Sequence, residues 1–300
     1  MKRIVSLLPS ATEICFALGI EDQLVGVTHE CDFPDGALTK PKITRSKASE
    51  VLSSREIDEL VRSQLDTTGS IYELDLDELD RLRPDIILTQ QLCTVCAVSY
   101  DYVRDQAARL ATTPEVINLE PKSLEDVFDS IKSVAELAGV KEKAEELITG
   151  LRQRVENVRS RVAGLRQPRT LVLEWVVPPF ASGHWIPELV EIAGGENALS
   201  FIHAPSREVR WEQVQDSQAE IVIIAECGFG VARQQQDVEC FLSRIGSATP
   251  QVWVCDGSQY FSRPGPRLVD TLEIITGVLH QELRKGFLSG FTTNDVVQIQ

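Results

Sequence analysis

The residues from Lys141 to Val162 read KEKAEELITGLRQRVENVRSRV and form a long helical pattern. Their apolar side chains recur every three or four positions, which is the spacing of one face of an α-helix. At 1.5 Å per residue such a helix is roughly 33 Å long, about the width of a small domain. It therefore predicts a rigid connection between the two halves of the chain. The positions of the stripe are Ala144, Leu147, Ile148, Leu151, Val155, Val158 and Val162.

The chain before this helix alternates strand-like and helix-like segments. The apolar runs RIVSLL, LVGVT and DIILT have the length of buried strands, and amphipathic segments separate them. Ser10 with Glu13, and Ser53 with Glu56, match the capping-box spacing that begins helices. Alternation of this kind is typical of a parallel sheet covered by helices, so residues 1–121 are predicted to form an α/β lobe.

The same alternation returns after the long helix. TLVLEW, EIVIIAE and VWVCDG predict strands, WIPELVEIAGG predicts a helix with a glycine stop, and RLVDTLEIITGVLHQEL predicts one further helix. We therefore expect an α/β protein in which two lobes with parallel sheets are joined by one long rigid helix. The boundaries are 1–121 for the first lobe, 122–167 for the helical segment, 168–288 for the second lobe, and 289–300 for a tail that lacks periodicity and is expected to be loose.

The composition excludes several classes of function. The net charge of −15 opposes binding to nucleic acid, which rests on basic contacts to phosphate. No apolar run approaches the length of a membrane span, and the apolar part of MKRIVSLLPS is too short for a secretory signal. The sequence as it stands therefore predicts a cytoplasmic protein that does not span a membrane. Seven cysteines without an export signal favour free thiols or metal ligands over a disulfide framework.

Candidate ligand contacts follow the predicted strands. In open parallel sheets, ligands sit beyond the carboxyl ends of the strands, on the connections where function concentrates. We expect these positions in the two lobes to face one cleft, with Tyr72 and Glu73 as a further aromatic and polar edge. The first lobe places there Ser10, His29, Cys31, Cys93 and Cys96. The second lobe places there Trp175, Phe180, His184, Trp185, Cys227, Phe229, Tyr260 and Arg263.

Cys93 and Cys96 have the CxxC spacing, which several kinds of site share. A redox pair at a strand–helix junction fits the position, but the flanking residues do not match a thioredoxin motif. A zinc site needs four ligands, and the ligands beyond this pair would come from His29, Cys31, His184 or Cys227. Alternatively, the two thiols line the cleft and contact a larger ligand, or pack in the core. The sequence leaves these alternatives open.

His184 and Trp185 have two interpretations. A histidine before a tryptophan in a glycine-preceded turn often just begins a helix, with the indole packed on the core. In the other interpretation His184 contacts a metal centre through its imidazole, and Trp185 with Phe180 offers a flat apolar wall. Arg263 either binds ligand carboxylates or amides or belongs to an ordinary helix start. His280, within the last predicted helix, is expected on the surface.

Five segments taken in order resemble the solute-binding proteins of ABC importers for cobalamin and iron-siderophore chelates. They are SLLPSATEICFALG, LVGVTHECDFP, LRPDIILTQ, PPFASGHWIPELVEIAGGEN and SRPGPRLVDTLEII. The resemblance covers residues 1 to about 280 and is closest to the cobalamin-binding, helical-backbone metal receptor type. It implies two Rossmann-like lobes of the class III periplasmic-binding-protein kind, with a corrinoid or metal chelate between them. It also implies an ABC-importer permease as partner and a periplasmic or extracellular location, which the lack of a secretory signal does not match.

The leading hypothesis from the sequence is a non-enzymatic binding protein for cobalamin or a related corrinoid or metal chelate. Its contacts would be apolar faces on Trp185 and Phe180, with polar edges on Ser10, Glu73 and Arg263. The alternative is a cytoplasmic metalloprotein or metalloenzyme that holds a zinc or iron ion through the cleft cysteines and histidines. No G-x-S-x-G, Walker or G-x-G-x-x-G motif is present to support acyl transfer or nucleotide chemistry.

Overall fold

A computed structural model describes residues 1–46, 52–67, 72–90, 100–245 and 250–300 of the chain. The chain forms two compact units. Unit 1 comprises residues 1–121 and 126–148, and unit 2 comprises residues 122–125 and 149–300. The helical segment that the sequence sets apart at 122–167 is thus shared between the units. Within the described ranges, no helix combines the length and the apolar character that crossing a membrane requires.

Unit 1 is built on a parallel sheet. Its strands, in chain order, are Ile4–Ser6 (β1), Leu24–Val27 (β2), Thr44–Ser46 (β3), Tyr72–Leu74 (β4), Ile86–Thr89 (β5) and Glu115–Asn118 (β6). Four of them form the parallel sheet in the order β2-β1-β5-β6, while β3 and β4 form a separate antiparallel pair. Both β1 and β5 are buried along their whole length, as expected of central strands in a parallel sheet.

The helices of the first half begin and end largely where the sequence places them. They are Pro9–Ala17 (α1), Ser54–Thr67 (α2), Leu76–Leu82 (α3), Tyr100–Ala107 (α4), Leu124–Ala138 (α5) and Lys141–Val162 (α6), with a 3-10 turn at Asp35–Thr39. The long helix α6 has the predicted bounds, and most of its apolar stripe is buried. The division between the units falls within α5 and again within α6.

One of the two predicted capping boxes is confirmed. The backbone N–H of Ser53 donates to Glu56 Oε2 at 2.7 Å, and the N–H of Glu56 donates to Ser53 Oγ at 3.3 Å. The other is wrong, because α1 begins at Pro9 and has Leu8 at its N-cap position without a side-chain cap. Proline suits the first helical position, so the helix starts two residues earlier than a cap at Ser10 predicts. Ser10 is consequently buried in the first turn.

Unit 2 contains a larger, mixed sheet. Its strands are Arg169–Trp175 (β7), Phe180–Ala181 (β8), Gly183–His184 (β9), Glu196–Asn197 (β10), Phe201–Ile202 (β11), Arg207–Glu208 (β12), Ile221–Ile224 (β13), Gln251–Cys255 (β14) and Val296–Gln298 (β15). The sheet order is β12-β8-β7-β13-β14-β15, with β10 also paired to β7, and β9 with β11 forms a separate pair. The three central strands β7, β13 and β14 are parallel, so their carboxyl ends lie at one edge.

Helices and turns connect these strands. They are Ile186–Ile192 (α7), Trp211–Asp216 (α8), Gln235–Arg244 (α9), Leu268–Leu279 (α10) and Gln281–Phe287 (α11), with a 3-10 turn at Val231–Gln234 and a π-helical turn at Gly257–Phe261. The α/β class and the parallel sheets predicted from the sequence are confirmed. The π-helical turn follows β14 directly and therefore begins at the carboxyl edge of the sheet.

Two predictions about the end of the chain are wrong. The last helix is interrupted at His280, whose backbone is extended, and the side chain is buried with Nε2 2.8 Å from the carbonyl of Ala193. The tail is not loose, because β15 pairs antiparallel with β14 through registers such as Cys255 with Val296. Both features depend on contacts with residues far away in sequence, which local periodicity does not report.

Arg154 of α6 binds two carboxylates of α10. Its Nη2 lies 2.5 Å from Asp270 Oδ1 and 2.7 Å from Glu273 Oε2, and its Nε donates to Glu273 Oε1 at 3.0 Å. The carboxylate side chains are largely buried, with 22% and 18% exposed, whereas Arg154 is 39% exposed. This forked contact fixes the second half of α6 on unit 2.

We expect Arg154→Met to lower the free energy of unfolding by about 2 kcal/mol, because it leaves two half-buried carboxylates without their cation. The decrease is smaller than for a fully buried ion pair, since water screens the exposed part of Arg154. Urea denaturation measures it. Arg159→Met is the matched control, because Arg159 is exposed on the same helix; equal effects of the two substitutions would contradict the contact's importance.

Candidate functional site

The carboxyl edge of the unit 2 sheet carries an aromatic stack. Trp175 ends β7, and Phe229 lies in the connection after β13, with 5.0 Å between the ring centroids and 36° between the planes. The guanidinium of Arg233 lies over the Phe229 ring, 4.5 Å from its centroid. Trp175 and Phe229 are both half-buried, so neither residue is fully enclosed by the protein. We call Trp175, Phe229 and Arg233 the aromatic stack.

A buried carboxyl group lies next to the aromatic stack. Glu226 follows β13, is fully buried, and accepts the backbone N–H of Val176 at 3.1 Å through Oε1. Asp237 lies close enough to interact with it, and Arg233 Nη1 lies 3.9 Å from Asp237 Oδ2. Burial raises the pKa of Glu226 to about 8, and repulsion from Asp237 adds to the shift.

Gln234 holds the connection after β13 in place. Its Oε1 accepts the N–H of Glu226 at 3.0 Å, and its Nε2 donates to the carbonyl of Cys255 at 2.8 Å. The amide thus joins the ends of β13 and β14, and it is completely buried. An amide with both ends bonded fixes the positions of Glu226 and Phe229.

Tyr260 stands on the π-helical turn after β14 and is half-buried. Its hydroxyl donates to Asp295 Oδ1 at 3.1 Å, and its ring meets Phe291 edge-on at 5.6 Å. The guanidinium of Arg267 lies 5.4 Å from the centre of the same ring. Burial raises the pKa of Tyr260, and the charge of Asp295 adds to the shift. Tyr260 is therefore a neutral phenol.

His184 is positioned by an unusual backbone. It has φ of +52°, and its N–H donates to the carbonyl of Ala204 at 2.7 Å. Nε2 of the imidazole is buried and has no hydrogen-bond partner. Burial lowers the pKa of His184, and the charge of Lys122 adds to the shift. His184 is therefore a neutral imidazole, with one nitrogen uncommitted inside unit 2.

Three other predicted contacts of unit 2 differ in exposure. Trp185 is 5% exposed and donates its indole N–H to the carbonyl of Phe261 at 3.0 Å. It offers little ring surface to a ligand, which departs from the flat wall suggested by the sequence. Arg263 is also buried, and its Nη2 lies 3.4 Å from Ser258 Oγ. Phe180 is half-buried and pairs with Trp175 across β7 and β8.

In unit 1 a polar cluster follows β2. His29 Nδ1 lies 2.7 Å from Thr44 Oγ1, and the rings of His29 and Tyr72 are 5.4 Å apart. The hydroxyl of Tyr72 donates to Glu30 Oε1 at 3.0 Å. Burial lowers the pKa of His29, and the nearby charge of Lys42 adds to the shift. The structure thus brings the rings of His29 and Tyr72 into direct contact.

The remaining predicted contacts of unit 1 are less favourably placed to touch a ligand. Glu73 is exposed and neighbours Tyr72 on β4, where successive side chains point to opposite faces. Ser10 is only 3% exposed. Cys31 is buried, and its Sγ lies 3.0 Å from Thr12 Oγ1. Its thiol is engaged in the interior rather than presented to solvent.

The proposed metal centre is not assembled by the described residues. Cys93 and Cys96 lie outside the residues that the structure describes. Cys227 is half-buried. In the described part of the chain, no group of three or more histidine, cysteine, aspartate or glutamate side chains could hold a metal ion. A zinc or iron site at this pair of cysteines stays a prediction.

Several residues of the candidate site were missed by sequence reasoning. Arg233 and Asp295 contact the predicted residues Phe229 and Tyr260, and Asp237 lies close to Glu226. Their positions carry no motif. Trp175 could have been ranked higher, because an aromatic residue directly after a buried strand lies at the carboxyl edge of a parallel sheet.

Comparison with known proteins relates this chain to one family. The family model described as periplasmic binding protein matches residues 4–244. The vitamin B12-binding protein of Vibrio cholerae serotype O1 is 23% identical over 274 residues, which cover 91% of this chain and 87% of that protein.

Two solved structures share the fold. The periplasmic vitamin B12 binding protein BtuF of Vibrio cholerae has a TM-score of 0.67 at 21% identity, covering 95% of this chain and 98% of that one. A periplasmic heme binding protein from Pseudomonas aeruginosa has a TM-score of 0.72 at 17% identity, covering 100% of this chain and 98% of that one. At these identities the likeness concerns the fold.

Proposed function

The chain belongs to the periplasmic binding protein family, a family of binding proteins rather than enzymes, and on that premise we propose that it binds a corrinoid. The aromatic stack carries this proposal. Trp175 and Phe229 present apolar ring surface at the carboxyl edge of the unit 2 sheet, where ligands of parallel sheets bind. A corrinoid has a large flat apolar face, and aromatic rings bury such a face well.

His184 is the proposed contact to the metal of the ligand. Imidazole nitrogen is a common ligand of cobalt and iron, and only the neutral form coordinates. The lowered pKa of His184 keeps it neutral, and its Nε2 has no hydrogen-bond partner to displace. Phe180, Phe229 and Tyr260 of unit 2 remain in the proposal as contacts. The buried Trp185 and Arg263 are better suited to supporting this site of unit 2 than to contacting the ligand.

The choice between a corrinoid and haem rests on the relatives. Curated proteins that match this chain are named vitamin B12-binding proteins, whereas solved structures of the same fold include haem-binding proteins. We propose the corrinoid because the sequence relatives covering most of both chains carry that name. Haem is the competing ligand. We also propose that the protein works with an ABC permease, as substrate-binding proteins of this family do.

A titration followed by absorbance tests the proposed function. Cyanocobalamin, dicyanocobinamide and haemin are added separately to the full chain, and the corrin or Soret bands are followed to saturation. One-to-one binding of a corrinoid with a Kd at least about tenfold below that of haemin, a difference of about 1.4 kcal/mol, supports the proposal. Tighter binding of haemin overturns the choice of corrinoid, and no binding of either overturns the proposal itself.

We expect Trp175→Ala to weaken corrinoid binding about thirtyfold, because it removes the largest exposed ring of the aromatic stack. The control is Trp211→Ala, which removes the same side chain from α8, where the ring lies 6.2 Å from Phe241. Kd is measured for both variants alongside their thermal unfolding. A similar loss of affinity in the two variants would mean that the effect reflects general destabilisation of unit 2.

A metalloprotein is not put forward as a second candidate function. It depends on Cys93 and Cys96, which fall outside the described ranges, and the described residues supply no group able to hold the ion. No observation within the described part of the chain favours it over ligand binding.

A further inference from the structure

The hydroxyl of Tyr260 is committed as a donor. It gives its hydrogen bond to Asp295 Oδ1 at 3.1 Å. A tyrosine hydroxyl has one proton, and an ionised carboxylate can only accept. Whatever else contacts the phenolic oxygen must therefore donate a hydrogen bond to it.

The C-terminal segment fixes Asp295 in this role. Thr292 donates to Asp295 Oδ2 twice, through its backbone N–H and through Oγ1, at 2.7 Å each. The carbonyl of Asp295 accepts the N–H of Asp256 at 2.8 Å, and the next residues form β15 on the edge of the sheet. The carboxylate is thus held by its own turn and by the strand that follows it.

The ring of Tyr260 is held as firmly as its hydroxyl. Phe291 meets it at 82° with the centroids 5.6 Å apart, and Arg267 lies 5.4 Å from its centre. Thr271 Oγ1 donates to the backbone carbonyl of Tyr260 at 2.7 Å. A phenol restrained on its ring, its hydroxyl and its backbone cannot turn its proton toward a ligand without losing these contacts.

Two arginines lie near Tyr260, but they do not change the role of its hydroxyl oxygen as a hydrogen-bond acceptor. Arg263 and Arg267 are 6% and 8% exposed. Arg267 Nη1 donates to Gln259 Oε1 at 3.1 Å, while its guanidinium also faces the Tyr260 ring. Asp256 accepts from the N–H and the amide of Gln259 at 2.7 and 3.0 Å. The half-buried surface at Tyr260 therefore combines an accepting oxygen with the carboxylate of Asp295.

We propose that Tyr260, positioned by Asp295, selects ligands whose edge carries amides over ligands whose edge carries carboxylates. This inference rests on the proposed function and deepens it, because the amide edge is the feature that separates a cobinamide-type corrinoid from a porphyrin with propionates. An amide N–H₂ can donate to the phenolic oxygen. A carboxylate has no proton to give and is repelled by Asp295.

The test compares two corrinoids that share ring and metal and differ at the edge. Dicyanocobinamide carries amides, and dicyanocobyrinic acid carries carboxylates at the corresponding positions. The full chain should prefer the amide ligand by about tenfold or more, as expected when a half-buried acceptor loses its donor partner and meets a like charge. Kd values by calorimetry at fixed pH and salt give this ratio.

Two variants should reduce the preference in different ways. Tyr260→Phe removes the accepting oxygen, so it weakens binding of the amide ligand about fivefold and leaves that of the carboxylate ligand nearly unchanged. Asp295→Ala removes the charge and frees the phenolic proton, so it strengthens binding of the carboxylate ligand by a similar factor. Thr293→Ala, at an exposed position of the same segment, is the control and should leave the ratio as it is.

The outcomes separate the two proposals. Binding of both corrinoids with a ratio that neither Tyr260→Phe nor Asp295→Ala changes overturns the selectivity of Tyr260 and leaves the proposed function standing. A preference of the unmodified chain for the carboxylate ligand also overturns the selectivity of Tyr260 and leaves the proposed function standing. Failure of the unmodified chain to bind any corrinoid overturns the proposed function and the inference with it. If Asp295→Ala does not fold, Tyr260→Phe still decides, because it keeps the ring contacts.

Discussion

Gly257→Ala is expected to lower the free energy of unfolding by about 3 kcal/mol and to remove corrinoid binding. Gly257 begins the π-helical turn after β14, and its N–H donates to the carbonyl of Phe229 at 3.0 Å. A Cβ at this position would overlap the carbonyl oxygen of Glu226 and lie 2.7 Å from the carbonyl carbon of Ala225. Both neighbours are backbone atoms and cannot turn aside as a side chain could.

Gly257→Ala should also move the two parts of the candidate site apart. The turn that begins at Gly257 carries Tyr260, and the connection it presses against carries Phe229. Moving the turn away from Glu226 displaces one of these rings relative to the other. Affinity should therefore fall even at temperatures where the variant is still folded, which calorimetry well below the unfolding midpoint can measure.

Gly230→Ala is the matched control for this prediction. Gly230 lies in the connection after β13, but its φ is −76° and a Cβ would come no closer than 3.4 Å to Asp256 Oδ2. That distance is an ordinary contact, so stability should change by less than about 1 kcal/mol. Similar unfolding curves for Gly257→Ala and the unmodified chain would show that the close approach between the two connections is not required for stability.

The sequence predicted best what local spacing determines. The bounds of α6 match because a stripe of apolar residues at helical spacing is visible without knowing its partners. The capping box at Ser53 and Glu56 is likewise a local signal. The one at Ser10 misled because Pro9, one residue earlier, is an even better first residue of a helix.

Contacts between distant segments could not be predicted from local sequence patterns. A three-residue strand such as β15 carries almost no periodicity, and pairing with β14 is what orders it. His280 leaves the helix because its imidazole bonds the carbonyl of Ala193, 87 residues away. Neither partner can be inferred from the neighbours of His280 in the chain.

The candidate site shows the same division. Strand ends drew attention to Phe229 and Tyr260, because the sheet rule depends only on where strands stop. What these side chains touch was not foreseen: Arg233 covers Phe229, and Asp295 binds Tyr260 from 35 residues away. The burial of Trp185 was one of two open interpretations, and the structure favours the packed indole.

Glu226→Gln is expected to remove a large part of the pH dependence of stability. Glu226 is fully buried beside Asp237, and its pKa in the folded state is about 8, against an ordinary value of 4.5. A carboxyl whose folded pKa is raised binds a proton more tightly in the folded state than in the unfolded state. Its contribution is complete below pH 4.5 and is lost as the pH rises toward 8.

The size of the effect follows from the shift. Each pKa unit corresponds to about 1.4 kcal/mol, so ionising Glu226 should lower the free energy of unfolding by about 4 kcal/mol between pH 5 and pH 9. Arg233 faces Asp237 from the same side and offsets part of the repulsion. Glutamine keeps an oxygen for the N–H of Val176 and adds an N–H₂ that can donate to Asp237, so the variant should be more stable than the unmodified chain at pH 9 and less dependent on pH.

Urea denaturation of both proteins at pH 5, 7 and 9 measures this difference. The control is Glu239→Gln, which alters an exposed carboxyl of the same helix as Asp237 and should leave the pH dependence parallel to that of the unmodified chain. If the stability of Glu226→Gln depends on pH as strongly as that of the unmodified chain, then ionisation of Glu226 does not destabilise the folded state.

Because Phe229 is three residues from Glu226 and its ring completes the aromatic stack, ionisation of this carboxyl should also loosen the ligand site. Corrinoid affinity is therefore expected to fall between pH 7 and pH 9 in the unmodified chain and to fall less in Glu226→Gln.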